Sequence, residues 1–172
     1  MADSDLPKRQ LEFDTPSLKR RLACLPYEAL LLLALLLIAA FPAAGTGGAV
    51  TSGWPQVFFQ AYLTSVVCCY FTWFWTHGGQ TLPMKTWRIR IIALDGGPLS
   101  ANRAMLRLVC ASLFYMPACV AIVLTLFPHR ISPLLTAWLV VPALATVLWA
   151  QFDSERQFLH DRMACTRLVS AG

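Results

Sequence analysis

Four long apolar runs, separated by segments of contrasting polarity, organise this sequence. They cover about residues 18–43, 55–76, 106–127 and 132–152, and the first includes a nearly pure Leu/Ala stretch from Ala29 to Ala40. Each approaches the ~20 residues that cross ~30 Å of hydrocarbon at ~1.5 Å per residue. Strands of a membrane β-barrel would be ~10 residues long and alternate in polarity, and no alternation runs through four consecutive segments. The pattern therefore predicts an all-α, polytopic membrane protein with about four transmembrane helices.

The segments between the runs differ from one another. Residues 1–15 are polar and mixed in charge, and are expected to form a flexible tail. Thr15-Pro16-Ser17 reads as a helix start, with Thr15 as N-cap and Pro16 at the first helical position. Gly45 to Gly53 is an uncharged connection, and Pro128 to Ile131 a tight turn. The one sizeable polar insert runs over residues 77–105. Within it Trp87-Arg88-Ile89-Arg90-Ile91 alternates, and Asp95-Gly96-Gly97-Pro98 is a turn signal, which together predict a short strand and a β-hairpin-like insert at the membrane surface. Ser100 is placed to cap the helix that leads through Asn102, Arg103 and Arg107 into the third span. From residue 153 the chain is polar again.

Charge sharpens this picture. Charged residues make up only 13% of the 172, and none occurs between Ala29 and Met84. A soluble surface needs solvating charge over such a length. Thirteen of the fourteen basic residues lie at or before Arg21, between Lys85 and Arg107, or after residue 153, and Arg130 alone falls in the other two connections. The excess of Lys and Arg marks the cytoplasmic side. Both termini and the insert are thus expected in the cytoplasm, with the chain in the cell (inner) membrane. Trp73, Trp75 and Trp149 at one level, and Trp54 at the other, read as interfacial rings. The net charge of +5 is explained by these flanks, so nucleic acid is not an expected partner. A cleaved leader, with Lys19 to Arg21 as its basic region, is disfavoured by the long preceding tail and by Glu28 at the entry to the apolar core.

Little of the sequence points to catalysis. No P-loop, nucleophile elbow, zinc-protease or dinucleotide motif is present, so an enzyme is not expected and no cofactor is expected. Cys24, Cys68, Cys69, Cys110, Cys119 and Cys165 lack metal-ligand or redox spacing and read as small packing residues. His77, His129 and His160 are scattered, which argues against a shared metal site. Gln60, Thr64, Ser65, Thr125, Thr136 and Thr146 are polar residues within spans, read as contacts between helices.

The charged residues at the membrane edge resemble those of the RDD family, membrane proteins named for one Arg and two Asp. Arg21-Leu22-Ala23 matches the family's start of the first helix, and Glu28 stands where its first Asp is expected. Gly79-Gln80-Thr81-Leu82, Lys85, Ile89-Arg90-Ile91 and Asp95-Gly96 resemble its central stretch, with Pro83 at a frequent Gly. His160-Asp161-Arg162-Met163-Ala164-Cys165-Thr166 resembles its closing motif, with Cys165 at a usual Gly. The resemblance covers residues 16–169. It implies a membrane domain, and transport of some ligand is the activity suggested for the family.

Two acids stand out. Glu28 lies one to two turns inside the first span, where a carboxylate costs up to ~2.5–3.5 kcal/mol at mid-membrane. It reads as a structural anchor between helices, as a proton- or cation-binding group, or as an interfacial residue reaching water. Asp161 reads as part of a solvated amphipathic tail, or as the partner of Arg21 or of an insert arginine, closing the cytoplasmic mouth. Two functions follow. One is transport of an ion or small solute, with a homo-oligomer supplying room for a path. The other is a non-catalytic scaffold or assembly factor that holds a membrane partner protein through its basic face. The lipid bilayer is the partner common to both.

Overall fold

Runs of Leu, Ala and Phe without internal charge favour the helix, in which every backbone N–H and C=O of a span is satisfied internally. In the computed structural model, which describes residues 14–45, 52–126 and 132–171, four such helices form: α1 Leu18–Ala44, α2 Gly53–Thr76, α4 Ala101–Leu126 and α5 Pro133–Phe152. All four are long and apolar enough to cross a membrane. Between them and after them come α3 Leu82–Thr86, β1 Ile89–Ala93, α6 Leu159–Met163 and β2 Thr166–Ser170. Residues 1–13, 46–51, 127–131 and 172, and with them His129, Arg130 and the turn expected at Pro128 to Ile131, lie outside the described residues.

Local chemistry sets the helix starts. Ser132 caps α5 by accepting from Leu135 N at 3.2 Å, and Pro133 follows in the first turn. Ser100 Oγ accepts from Arg103 N at 3.4 Å, so the capped segment and the third span are one continuous helix. The cap of α1 is Ser17, which accepts from Arg20 N, and not Thr15. Thr15 is engaged elsewhere, its hydroxyl donating to Glu155 O at 3.3 Å, and Pro16 is packed beside it.

The spans bury little against one another. Ile38, Phe41, Leu126 and Leu134 are each at least 70% exposed. Water would charge ~1.5–3 kcal/mol for each such side chain, and hydrocarbon removes that cost. Away from the polar end, the buried residues of the spans are small ones such as Cys110 and Ala121, the kind that lets helices approach closely. The true core lies at the polar end, where Met84, Ile89, Ile91, Leu99, Phe158 and Leu168 pack beneath Cys24 and Trp75.

That core is organised by a two-stranded antiparallel sheet. β1 forms in the alternating segment, as expected, but its partner β2 comes from the far end of the chain, in the register Ile89↔Ser170 to Ala93↔Thr166. The Asp95 turn does form: Gly96 N bonds Ala93 O, Ala93 N bonds Gly97 O, and Asp95 Oδ1 accepts from Gly97 N. It leads to no local return strand, because Pro98 has no N–H to donate and Ser100 already opens α4. An isolated ribbon of two strands is marginal in water. Here both outer edges are occupied. Ile91 N donates to Gly79 O at 2.7 Å and Ser170 N to Asp14 O at 2.8 Å. The Gln157 side chain clamps Leu168, accepting from its N at 2.9 Å and donating to its O at 3.1 Å.

The α6–β2 junction turns through Cys165 at φ 52°, a left-handed conformation that costs a residue with a Cβ about 1–2 kcal/mol. Glycine removes that cost while adding freedom to the unfolded chain. Cys165→Gly should therefore raise stability by about 0.5–1 kcal/mol in thermal melts of the protein in nanodiscs. Cys165→Val should lower it, and a glycine variant that melts earlier than the parent would contradict this account of the turn.

Candidate functional site

The polar cap brings side chains from five elements to the base of the bundle. α1 supplies Arg21 and Glu28, α2 supplies Tyr70 and Trp75, and the approach to α3 supplies Thr81. α4 supplies Arg107 and Tyr115, and the α6 segment supplies Phe158, His160 and Asp161.

Arg107 and Asp161 form the centre of the cluster. Arg107 Nε and Nη2 lie 2.8 and 2.7 Å from Asp161 Oδ1, and Asp161 is fully buried. The guanidinium also stacks over Trp75, 4.5 Å from the ring centroid. Asp161 is therefore no part of a solvated tail. The linker before it is fixed too: Asp153 accepts from Arg162 Nε at 3.0 Å and from the N–H groups of Glu155 and Gln157. Thr146 on α5 accepts from Leu159 N at 3.2 Å, which seats α6 against the bundle. Thr166 Oγ1 donates to Asp161 O at 3.2 Å.

His160 sits between Phe158 and Tyr115, with Nε2 3.5 Å from Asp161 Oδ1 and Nδ1 3.4 Å from Thr146 Oγ1. Burial pushes its pKa down to about 4, with Asp161 opposing the shift and Arg107 adding to it. The imidazole is neutral at pH 7. The unfolded chain takes up a proton near pH 6.5 that the folded chain refuses until about pH 4, so stability is lost as pH falls through that window, by on the order of 3 kcal/mol. Thermal melts between pH 7.5 and 4.5 should show this loss, and His160→Gln should flatten the dependence. An unchanged slope in His160→Gln would show that another group controls it.

Glu28 is the acceptor that joins three elements. Its Oε1 accepts from Tyr70 Oη at 2.8 Å and its Oε2 from Thr81 Oγ1 at 2.5 Å. Thr81, itself fully buried, also caps α3 by accepting from Met84 N. The geometry is that of a hydrogen-bond anchor between α1, α2 and the insert. Arg21 is different. It is 3% exposed, its guanidinium lies 4.6 Å over the Phe158 ring, and its Nε and Nη1 have no hydrogen-bond partner among the described residues. The Arg21–Asp161 pair considered from the sequence does not form, because Arg107 on α4 faces α6 directly and takes the carboxylate. Its place as partner falls to an arginine of the stretch leading into the third span.

The remaining motif residues divide in two. Gly79 and Gln80 build the cap: Gly79 has φ +70°, and Gln80 Nε2 donates to Ile89 O at 2.7 Å. Lys85 and Arg90 are exposed, and Asp95 and Gly96 form the outer turn, where Asp95 meets Arg103 at 3.2 Å. None of these four touches the cluster. His77 caps α2 and stacks on Trp73, far in role from His160. Cys24 and Cys110 are buried, Cys69, Cys119 and Cys165 are exposed, and all the cysteines are free thiols.

Sequence reasoning missed Tyr70, Trp75, Tyr115, Phe158 and Gln157. Trp75 was expected at the interface, yet it is 4% exposed while Trp73 is 61% exposed. The signal was available: two residues on a helix are ~200° apart, so the pair cannot both face lipid. Nothing in the sequence marks Gln157, whose partners include Thr15 and Leu168 as well as its near neighbours Asp153 and Glu155.

Above the cluster lies a cavity of about 410 Å³. Its walls are α1 from Leu25 to Leu32, Val67 and Phe71 of α2, and α4 from Leu108 to Cys119, and its polar end carries Arg21, Glu28, Arg107, Tyr115 and His160. Arg21 and Glu28 line it, and Asp161 stands behind it, holding Arg107 in place.

These features define a small multi-pass membrane protein whose spans are closed at one end by a polar cap. The chain belongs to the RDD family, whose model matches residues 15–165. No curated protein and no solved structure matches it.

Proposed function

We propose that this RDD-family chain binds an ion or small solute in the cavity above the charge cluster and moves it across the cell membrane. The observation that carries the reading is the arrangement of Arg21 and Glu28 on one apolar cavity within the spans, over a buried Arg107–Asp161 pair. Charged groups at membrane depth are costly, and where they persist they mark ligand or ion pathways. The orientation we assign has both termini and the cap in the cytoplasm. It is supported by the gathering of Lys19, Arg20, Lys85, Arg88, Arg90, Arg156, Arg162 and Arg167 at the cap end. Four helices leave little room for a sealed path, so a homo-oligomer is part of this reading.

A proton and cation flux screen in proteoliposomes tests it. The parent protein should show flux, and Glu28→Gln should insert normally but lose it. Flux unchanged in Glu28→Gln would remove Glu28 from the path. No flux from the parent, together with co-purification of a stable membrane partner, would replace this reading by the scaffold one.

A further inference from the structure

The polar end of the cavity carries an excess of donors. Arg21 Nε and Nη1, Trp75 Nε1 and Tyr115 Oη are all buried and without a hydrogen-bond partner among the described residues. All three residues line the same cavity. Unpaired buried donors are rare in native proteins, and each costs a desolvation penalty that a bound acceptor would remove. The cation among them is the decisive one, because Arg107 is paired directly with Asp161, whereas Arg21 forms no salt bridge among the described residues and Asp161 acts on it only through space.

The acids nearby do not compete for Arg21. Glu28 is seven residues further along α1, a rise of roughly 10 Å, and already accepts hydrogen bonds from two hydroxyls. Asp161 accepts from Arg107 through Oδ1; its Oδ2 is buried without a partner among the described residues and acts on Arg21 only through space, since the two form no salt bridge and Asp161 does not line the cavity. His160, which does, is neutral at pH 7 because burial holds its pKa near 4. The cation at the end of the cavity therefore has no salt-bridge partner among the described residues.

The rest of the cavity is apolar and elongated. From Arg21 to Leu32 the α1 wall rises roughly 16 Å, and α4 from Leu108 to Cys119 runs alongside. A small hydrated ion would leave this wall unsatisfied. A hydrocarbon chain would fill it, and the volume lies in the ~300–1,000 Å³ range of ligand pockets.

We propose that the cavity takes a single-chain anionic amphiphile, an acyl chain whose carboxylate or phosphate head sits on Arg21, with Trp75 and Tyr115 as further donors. Guanidinium binds these oxyanions through charge-assisted hydrogen bonds. This assignment rests on the cavity being the binding site and names the chemistry of its occupant.

Equilibrium binding of radiolabelled dodecanoate and dodecyl phosphate to the full chain in phosphatidylcholine nanodiscs tests it, with empty nanodiscs as background. Both anions should bind saturably. Dodecyl trimethylammonium and dodecanol should not displace them, and neither should acetate or inorganic phosphate. Arg21→Gln should weaken binding by about tenfold or more. Ala111→Trp, which fills the apolar wall and leaves Arg21 intact, should weaken dodecanoate as well. Arg21→Lys should retain part of the affinity, which separates loss of the charge from loss of the fold. The assignment fails if the cationic or neutral chain competes equally, if the head groups alone bind as tightly, or if folded Arg21→Gln binds like the parent. Glu28-dependent flux without amphiphile binding would leave the transport reading standing and remove only this occupant. Amphiphile binding without flux would do the reverse.

Discussion

Replacing Arg107 with leucine should destabilise the protein by on the order of 3–5 kcal/mol, because it strands a buried carboxylate. Asp161 is fully buried, and its bonded oxygen has two arginine nitrogens at 2.7 and 2.8 Å. Removing them leaves the charge with no cation bonded to it. Asp161→Leu should cost a similar amount, leaving the guanidinium stacked on Trp75 without its anion. Replacing a whole buried pair by apolar residues is often nearly neutral. Arg107→Leu combined with Asp161→Leu should therefore recover most of the loss. Thermal melts of the four proteins in nanodiscs measure this as a double-mutant cycle. A double variant as unstable as the sum of the two singles would show that no such pair exists. Exchanging charges between Arg21 and Asp161 should give no rescue, since those side chains are not partnered.

Gly79→Ala should be nearly as damaging. A Cβ at Gly79 would stand 2.3 Å from Ile91 O, a backbone atom in β1, and the residue holds φ +70°. The same two residues are bonded through Ile91 N and Gly79 O at 2.7 Å, so neither side can move without losing that bond. The left-handed backbone costs about 1–2 kcal/mol and the lost hydrogen bond about as much again, a total on the order of 3 kcal/mol or more. The displacement would also pass to Gln80 and Thr81, and through Thr81 to Glu28. Gly78 provides the control. An added Cβ there meets nothing within 4 Å, so Gly78→Ala should change stability by no more than about 0.5 kcal/mol. Equal melting temperatures for the two alanine variants would refute the packing described for the cap.

The contrast between adjacent glycines illustrates what the sequence can and cannot convey. The spans were legible because hydrocarbon imposes length and charge rules that act residue by residue, and α5 begins within a residue of where its apolar run begins. β1 was legible from its alternation. Its partner was not, because antiparallel pairing with β2 is a contact between the middle and the end of the chain, and Thr166 to Ser170 has no signal that names Ile89. The same limit applied to the site. Arg21, Glu28 and Asp161 are visible as charges at the membrane edge, but which arginine holds Asp161 depends on the helix that happens to face α6. Gly79 could be singled out as a motif residue, yet the reason for it lies in a carbonyl twelve residues later.

The cap exists only if the C-terminal segment is folded back into it. Hydrogen–deuterium exchange of the protein in nanodiscs measures this directly. The β1 and β2 amides, and those of 159–165, should be protected together, and Asp161→Leu should release 159–170 while the spans stay protected. Free exchange of 159–170 in the parent protein, with the spans protected, would mean that the cap and the site it builds do not exist.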